Sequence, residues 1–180
     1  MVLVLPNILS IVRILLIPVY IFFFLEGEYI LAAIFFSTSA ITDFLDGYFA
    51  RKYNMITELG KILDPLADKL SIISILIALF YAELIPVFII IILLSREVFI
   101  FISSIITYLL GYNIINPSNI GKISMFLLYT AIAFELMQFK NIAMYLFYIV
   151  IPLNIYSAIN YVLKAAKTLR NHNQEYSKLK

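Results

Sequence analysis

All four aspartates of the 180-residue chain fall between positions 43 and 68, as two pairs: Asp43 with Asp46, and Asp64 with Asp68. On a helix, a spacing of three residues places the first pair about 60° apart, and a spacing of four places the second pair about 40° apart. Each pair therefore shares one helix face. Carboxylates gathered in this way repel one another unless protons or cations neutralise them.

Divalent cations are the partners that fit such a cluster best. Mg²⁺ prefers oxygen ligands and commonly joins a few carboxylates to the phosphates of a substrate. A pair of such ions can stabilise attack on phosphorus and the departure of a phosphate. The alternative is a set of solvated helix caps, and Asp64, which precedes Pro65, fits a capping position. Because capping does not account for four acids together, we expect a site for Mg²⁺ or Mn²⁺, with two ions.

Small residues alternate with these acids, at Gly47, Ala50, Gly60 and Ala67. Glycine inside a helix costs about 1 kcal/mol relative to alanine, so its presence needs a reason. Close packing of membrane helices is one reason, and space for a ligand against the backbone is another. Arg51 follows Gly47 by about one helical turn. It can bind a phosphate through two hydrogen bonds or anchor the helix at the membrane interface.

The composition indicates which elements position these residues. Hydrophobic residues make up 63% of the chain and charged residues only 13%, and the mean hydropathy is +1.00. Soluble domains are about half apolar and about one quarter charged, so a cytosolic globule, a disordered chain and a basic nucleic-acid binder are excluded. With about 20 residues needed for each span, the length allows roughly six. The absence of cysteine excludes disulfide and thiolate chemistry.

The apolar residues form six long runs, at 8–25, 29–50, 62–82, 86–110, 120–137 and 142–163. The runs are nearly continuous rather than alternating, and they are far longer than strands, which indicates helices. We therefore predict an all-α integral membrane protein with six transmembrane helices, in which residues 1–180 form a single domain.

Basic residues are distributed unequally between the two sides of this six-helix plan. One side holds ten of them: Arg51, Lys52, Lys61, Lys69, Lys122, Lys164, Lys167, Arg170, Lys178 and Lys180. The loops of the other side hold Lys140 alone. Cytoplasmic loops carry the excess of Lys and Arg, so both termini and the aspartate cluster are predicted to face the cytoplasm. Arg13 and Arg96 remain at membrane depth.

The aspartates and small residues also fit a known motif. From Asp43 to Asp68 the chain reads D-x2-D-G-x2-A-R-x8-G-x3-D-x3-D, which resembles the signature of the CDP-alcohol phosphatidyltransferases at every fixed position. The segment from Leu5 to Arg13 is similar to the opening of the family branch that makes phosphatidylglycerol phosphate and cardiolipin. The resemblance in length and helix plan extends over essentially the whole chain.

This resemblance implies a reaction and roles for the motif residues. Members of the family transfer a phosphatidyl group from a CDP-linked lipid, here CDP-diacylglycerol, to an alcohol and release CMP. The implied metal ligands are Asp43, Asp46 and Asp64, and Asp68 matches the general base and is a further candidate ligand. The positions that match contacts to the CDP-lipid are Gly47, Ala50, Arg51 and Gly60. The family also suggests a homodimer in the cell (inner) membrane.

The alcohol acceptor depends on two further cations. Arg96 lies within an apolar run, where a charged residue is a functional candidate, although it can instead pair with Glu97. Lys122 lies at the start of the fifth apolar run. It is a candidate for binding the acceptor, and the alternative is that it anchors the helix on the cytoplasmic side. The resemblance places both at the acceptor. Relatives that use glycerol 3-phosphate usually offer more basic groups here, and Ser124 occupies one of those positions. We place glycerol 3-phosphate first as acceptor and phosphatidylglycerol, the acceptor of cardiolipin synthases, second.

A different class of protein also gathers acids within a membrane. Cation transporters and channels do so, commonly near the bilayer midplane and often between repeated halves. In this chain the acids are predicted to lie at one edge of the membrane, and the sequence shows no repeat. A cation transporter is therefore the more distant alternative to an enzyme.

Overall fold

A computed structural model describes the backbone of residues 5–52, 58–109 and 119–178, and the side chains of residues 7–43, 60, 63–103, 105–106 and 119–164. Over these ranges the fold consists of six α-helices and no strand. The helices are α1 (Leu5–Leu25), α2 (Tyr29–Lys52), α3 (Glu58–Tyr81), α4 (Val87–Leu109), α5 (Asn119–Leu136) and α6 (Lys140–Lys178). The all-helical class and the order of the six helices agree with the sequence.

Three of the helices end in the same turn, which makes three tight helical hairpins. The second residue after α1, α3 and α5 has a positive φ: 80° at Gly27, 53° at Glu83 and 66° at Gln138. After α1, the Glu28 N–H donates to the Phe23 carbonyl at 2.9 Å, and the same pattern follows the other two helices. This is the Schellman turn, which satisfies the last free carbonyls of a helix.

The position at which α3 begins contradicts the alternative in which Asp64 caps a helix. The helix begins at Glu58 and continues through Pro65, so Asp64 and Pro65 lie inside it rather than at its first turn. The reading of Asp64 as a helix cap is therefore wrong. Its carboxylate projects from the side of a formed helix and is available for another role.

The sixth helix is longer than the last apolar run. It continues to Lys178, whereas the hydropathy places the end of the span at 163. Neither glycine nor proline occurs after Pro152, so no residue breaks the helix where the sequence becomes polar.

The packing is organised around α1. This helix packs against both α2 and α3, whereas the direct contact between α2 and α3 is small. The α3–α4 hairpin is attached to α1 through α3. The α5–α6 hairpin closes the bundle, because α5 packs against α2 and α6 packs against α4. Fully buried side chains from all six helices form the apolar core, among them Tyr20, Phe36, Ile72 and Phe147.

Large apolar side chains also cover the outside of the bundle. Leu15, Phe22, Phe126 and Tyr145 are each more than half exposed, as expected for surfaces in contact with lipid. Among the described residues, three helical segments are long and apolar enough to cross a bilayer: Asn7–Leu25, Asn119–Leu136 and Lys140–Lys164.

Candidate active site between helices α1 to α5

A fully buried arginine lies among the aspartates. Arg13, on α1, places its Nη1 2.6 Å from a carboxylate oxygen of Asp43 on α2. It also has Coulombic interactions with Asp64 and Asp68 on α3. Because α1 packs against both of these helices, Arg13 is the common counter-ion of three carboxylates. The sequence predicts that Arg13 lies at membrane depth but assigns it no partner.

The same face of α1 also contacts the second aspartate pair. Ser10 is fully buried one turn before Arg13 and donates a short hydrogen bond to Asp64 Oδ1. Asn7, a further turn back, is also buried. Three polar side chains at spacings of three residues thus give α1 a polar stripe that lies towards the acids.

Both oxygens of Asp68 are bound by neighbouring side chains. The Tyr129 hydroxyl on α5 donates to Oδ1 at 2.8 Å. Lys69 Nζ lies 3.0 Å from Oδ2. Lys69 in turn lies 2.7 Å from Oε2 of Glu97, which is fully buried on α4. The position of Asp68 is therefore set from three helices.

Arg96 belongs to the same network of charges. It forms a short ion pair with Glu97 and places Nη1 3.0 Å from Met125 Sδ. The pairing with Glu97, one of the two alternatives from the sequence, is therefore present. Its Nε has no hydrogen-bond partner within the described part of the chain. Through Glu97 and Lys69, the candidate for acceptor binding is connected to the candidate base, Asp68.

The donor set is chemically suited to a hard divalent cation. Asp43 has Coulombic interactions with both Asp64 and Asp68, so the three carboxylates share one region. Carboxylate oxygens are the ligands that Mg²⁺ and Mn²⁺ prefer. The described residues alone contain no group of three acidic, His or Cys side chains placed to hold one ion. The side chain of Asp46, the fourth predicted ligand, lies outside them.

The remaining predicted site residues are only partly described. Gly60 is buried within α3. Lys122 is exposed in the first turn of α5 and makes no described contact with the aspartates. Four further predicted site residues lie near the end of α2: Asp46, Gly47, Ala50 and Arg51. Their side chains lie outside the described part of the structure.

Several residues of the site escape sequence reasoning. Arg13 carries a usable signal, because an arginine inside an apolar run is costly and needs a partner. From the sequence, Lys69 is only one of the cytoplasmic basic residues and Glu97 only a possible partner of Arg96, and neither is placed beside Asp68. Tyr129 carries no signal, since it is one of 13 tyrosines.

The fold and this site define an all-helical membrane protein with a charged centre enclosed by its helices. The family model for CDP-alcohol phosphatidyltransferase matches residues 3–156. The chain belongs to the CDP-alcohol phosphatidyltransferase family, as its motif indicated.

Relatives from two branches of the family are similar to the chain. The CDP-diacylglycerol–glycerol-3-phosphate 3-phosphatidyltransferase of Rickettsia felis is 36% identical over 141 residues, covering 76% of this chain and 77% of that protein. The Bacillus subtilis protein of the same name is 39% identical over 108 residues, 52% of this chain and 56% of its own length. The cardiolipin synthase (CMP-forming) of Streptomyces coelicolor is 34% identical over 131 residues, 69% of this chain and 61% of its own length.

Proposed function

We propose that the protein transfers the phosphatidyl group of CDP-diacylglycerol to glycerol 3-phosphate, forming phosphatidylglycerol phosphate and CMP. The observation that carries this proposal is the complete family motif, with Asp43, Asp64 and Asp68 gathered around buried Arg13. The family match supports the class of reaction. The names of the Rickettsia and Bacillus relatives support the acceptor.

The reaction requires one bond to form and one to break at phosphorus. The hydroxyl oxygen of the acceptor bonds to the phosphorus of the phosphatidyl group. The bond from that phosphorus to the bridging oxygen breaks, and the oxygen leaves with the electron pair as part of CMP. Asp68 accepts the proton of the hydroxyl as general base, a role that typically contributes 10²- to 10⁴-fold in rate.

Metal ions supply the charge compensation in this proposal. Two divalent ions, Mg²⁺ or Mn²⁺, held by Asp43, Asp46 and Asp64 with a contribution from Asp68, would neutralise the diphosphate and stabilise the leaving phosphate. The oxygen chemistry of these side chains supports the assignment.

The two substrates are assigned to different groups of residues. Gly47, Ala50, Arg51 and Gly60 contact the cytidine diphosphate head. Arg96 and Lys122 bind the acceptor. The connection from Arg96 through Glu97 and Lys69 to Asp68 supports this arrangement, because the acceptor hydroxyl has to meet the base.

The membrane arrangement completes the proposal. Residues 1–180 form one domain with six spans, both termini are cytoplasmic, and the active site faces the cytoplasm at the inner membrane. The distribution of Lys and Arg supports this orientation. The three hairpin turns after α1, α3 and α5 then lie together on the outer side. As the family suggests, the functional unit is a homodimer.

Cardiolipin synthesis is the second candidate function. The Streptomyces relative carries that name, and phosphatidylglycerol would then be the acceptor in place of glycerol 3-phosphate. A phosphodiester carries a single charge, so the two proposed acceptor cations, Arg96 and Lys122, suit it as well. The family match favours either enzyme over a cation transporter.

An acceptor panel separates these alternatives. Purified protein in detergent–lipid micelles receives CDP-diacylglycerol and Mg²⁺ with glycerol 3-phosphate, phosphatidylglycerol or inositol phosphate, and CMP release is measured. The proposal predicts release with glycerol 3-phosphate. Release that requires phosphatidylglycerol would establish the second function instead, and release only with inositol phosphate would reject both.

A further inference from the structure

The hydrogen bond between Tyr129 and Asp68 joins two helices that are distant in the chain. Tyr129 is on α5 and Asp68 on α3, and their oxygens are 2.8 Å apart. The ring of Tyr129 is itself held in place, because it packs on fully buried Phe36 of α2 with ring centroids 5.4 Å apart. The hydroxyl is thus presented to Asp68 by a ring that α2 supports.

The second oxygen of Asp68 is bound by the neighbouring residue on α3. Lys69 Nζ lies 3.0 Å from Oδ2, and buried Glu97 on α4 fixes Lys69 at 2.7 Å. A carboxylate with a donor on only one oxygen can rotate about its last torsion, whose preferences are broad. Donors on both oxygens, supplied from different helices, remove that freedom.

We propose that Tyr129 is a positioning residue that sets the orientation of the Asp68 carboxylate towards the hydroxyl of the acceptor. This inference rests on the proposed function, in which Asp68 takes the proton as the acceptor oxygen bonds to phosphorus and CMP leaves. Each carboxylate oxygen can accept more than one hydrogen bond, so the bond from Tyr129 leaves Oδ1 able to receive the proton. Tyr129 itself neither gains nor loses a proton in the reaction.

Two matched substitutions test this role. Tyr129→Phe removes the hydroxyl and keeps the ring on Phe36. Tyr20→Phe is the control, since the buried Tyr20 hydroxyl also binds α3, through the Ser71 carbonyl at 3.0 Å and Ser74 Oγ at 2.8 Å. Each variant loses one hydroxyl group that bonds to α3 from another helix, but only the Tyr129 hydroxyl contacts Asp68.

We expect both variants to lose thermal stability, and only Tyr129→Phe to lose turnover. Misplacement of a reacting group by about 1 Å can cost about 100-fold in rate, and we expect a fall in kcat of about 10-fold for this smaller perturbation. The KM for CDP-diacylglycerol and the shift in Tm that it produces on binding should stay at wild-type values. Equal kcat values for the two variants would overturn the positioning role.

Two further variants keep the test decisive. If Tyr129→Phe does not fold, Phe36→Leu loosens the ring while keeping the hydroxyl. A lower kcat with unchanged KM for CDP-diacylglycerol supports the inference, and wild-type kcat overturns it.

Asp68→Asn shows whether a negative result concerns the positioning role or the proposed function. If the wild type releases no CMP, the proposed function fails. If the wild type is active, Asp68→Asn is inactive and Tyr129→Phe turns over normally, only the positioning role fails.

Discussion

Arg13 on α1 and Asp43 on α2 form an ion pair of 2.6 Å in which the arginine is fully buried and the Asp43 side chain is 39% exposed. The pair places a fixed positive charge at the centre of the acidic cluster. It also explains how α2 and α3 can present carboxylates to a common region while touching each other little.

The first prediction follows from this pair. Arg13→Gln should lower Tm, because three carboxylates lose their shared counter-ion. Added Mg²⁺ should raise the Tm of Arg13→Gln by more than that of the wild type, since a divalent cation replaces the lost charge. In a double-mutant cycle with Asp43→Asn, the coupling should be about 1 kcal/mol, because Asp43 is partly exposed.

Lys122→Gln is the control for that experiment, because Lys122 is an exposed cation without a described acidic partner. Its Tm and its response to Mg²⁺ should match those of the wild type. Zero coupling between Arg13 and Asp43 would mean that the ion pair does not stabilise the fold.

The second prediction concerns Asp68. If this residue is the base, Asp68→Asn should reduce kcat by about 10²- to 10⁴-fold while the affinity for CDP-diacylglycerol changes little. The measurement compares single-turnover CMP release with binding of the CDP-lipid. Equal losses of binding and turnover would instead assign Asp68 mainly to metal coordination.

The third prediction concerns Arg96. If glycerol 3-phosphate is the acceptor, Arg96→Ala should raise its KM steeply, because a hydrogen bond to a charged group is worth about 1.5–3 kcal/mol. The KM for CDP-diacylglycerol should change little, and Lys122→Ala should act in the same direction. If phosphatidylglycerol is the acceptor, both effects should be milder.

Arg96 is also the partner of Glu97, so its structural contribution has to be separated from its contact with the acceptor. Arg96→Lys keeps a cation beside Glu97 and supplies the control. A loss of Tm in Arg96→Ala without any change in acceptor KM would limit Arg96 to holding Glu97.

The fourth prediction is topological. The chain contains no cysteine, so single cysteines provide clean labelling sites. Replacement of Glu28 or Asn141, which lie exposed in or beside the hairpin turns, should give labelling from outside the cell. Replacement of Asn54 or Asn173 should give labelling only after the membrane is opened. Outside labelling at Asn54 would contradict both the six spans and the cytoplasmic active site.

Most of the fold could be predicted from the sequence, because nearly continuous apolar runs of this length favour α-helices over strands. The helix ends were less predictable. The end of α6 follows from an absence of breaking residues rather than from hydropathy, and α3 begins at Glu58, before both the apolar run at 62–82 and Pro65.

The candidate site was predictable only as far as its motif. The spacing of Asp43, Asp64 and Asp68 identified them, since they lie close together in the sequence. Tyr129 reaches Asp68 only through the packing of α5 against α2. Such a contact is set by tertiary structure, and one sequence contains no pattern that indicates it.

The central claim is that the aspartate cluster carries out metal-assisted phosphatidyl transfer. The most direct test measures CMP release from CDP-diacylglycerol by the wild type and by Asp43→Asn, Asp46→Asn and Asp64→Asn, with Mg²⁺ and with excess chelator. Asp43→Asn should remain folded, because Arg13 keeps its interactions with Asp64 and Asp68. We predict release by the wild type that stops with chelator and returns with Mg²⁺ or Mn²⁺, and no release by the three folded variants. Full activity in excess chelator, or wild-type release by the variants, would contradict the account.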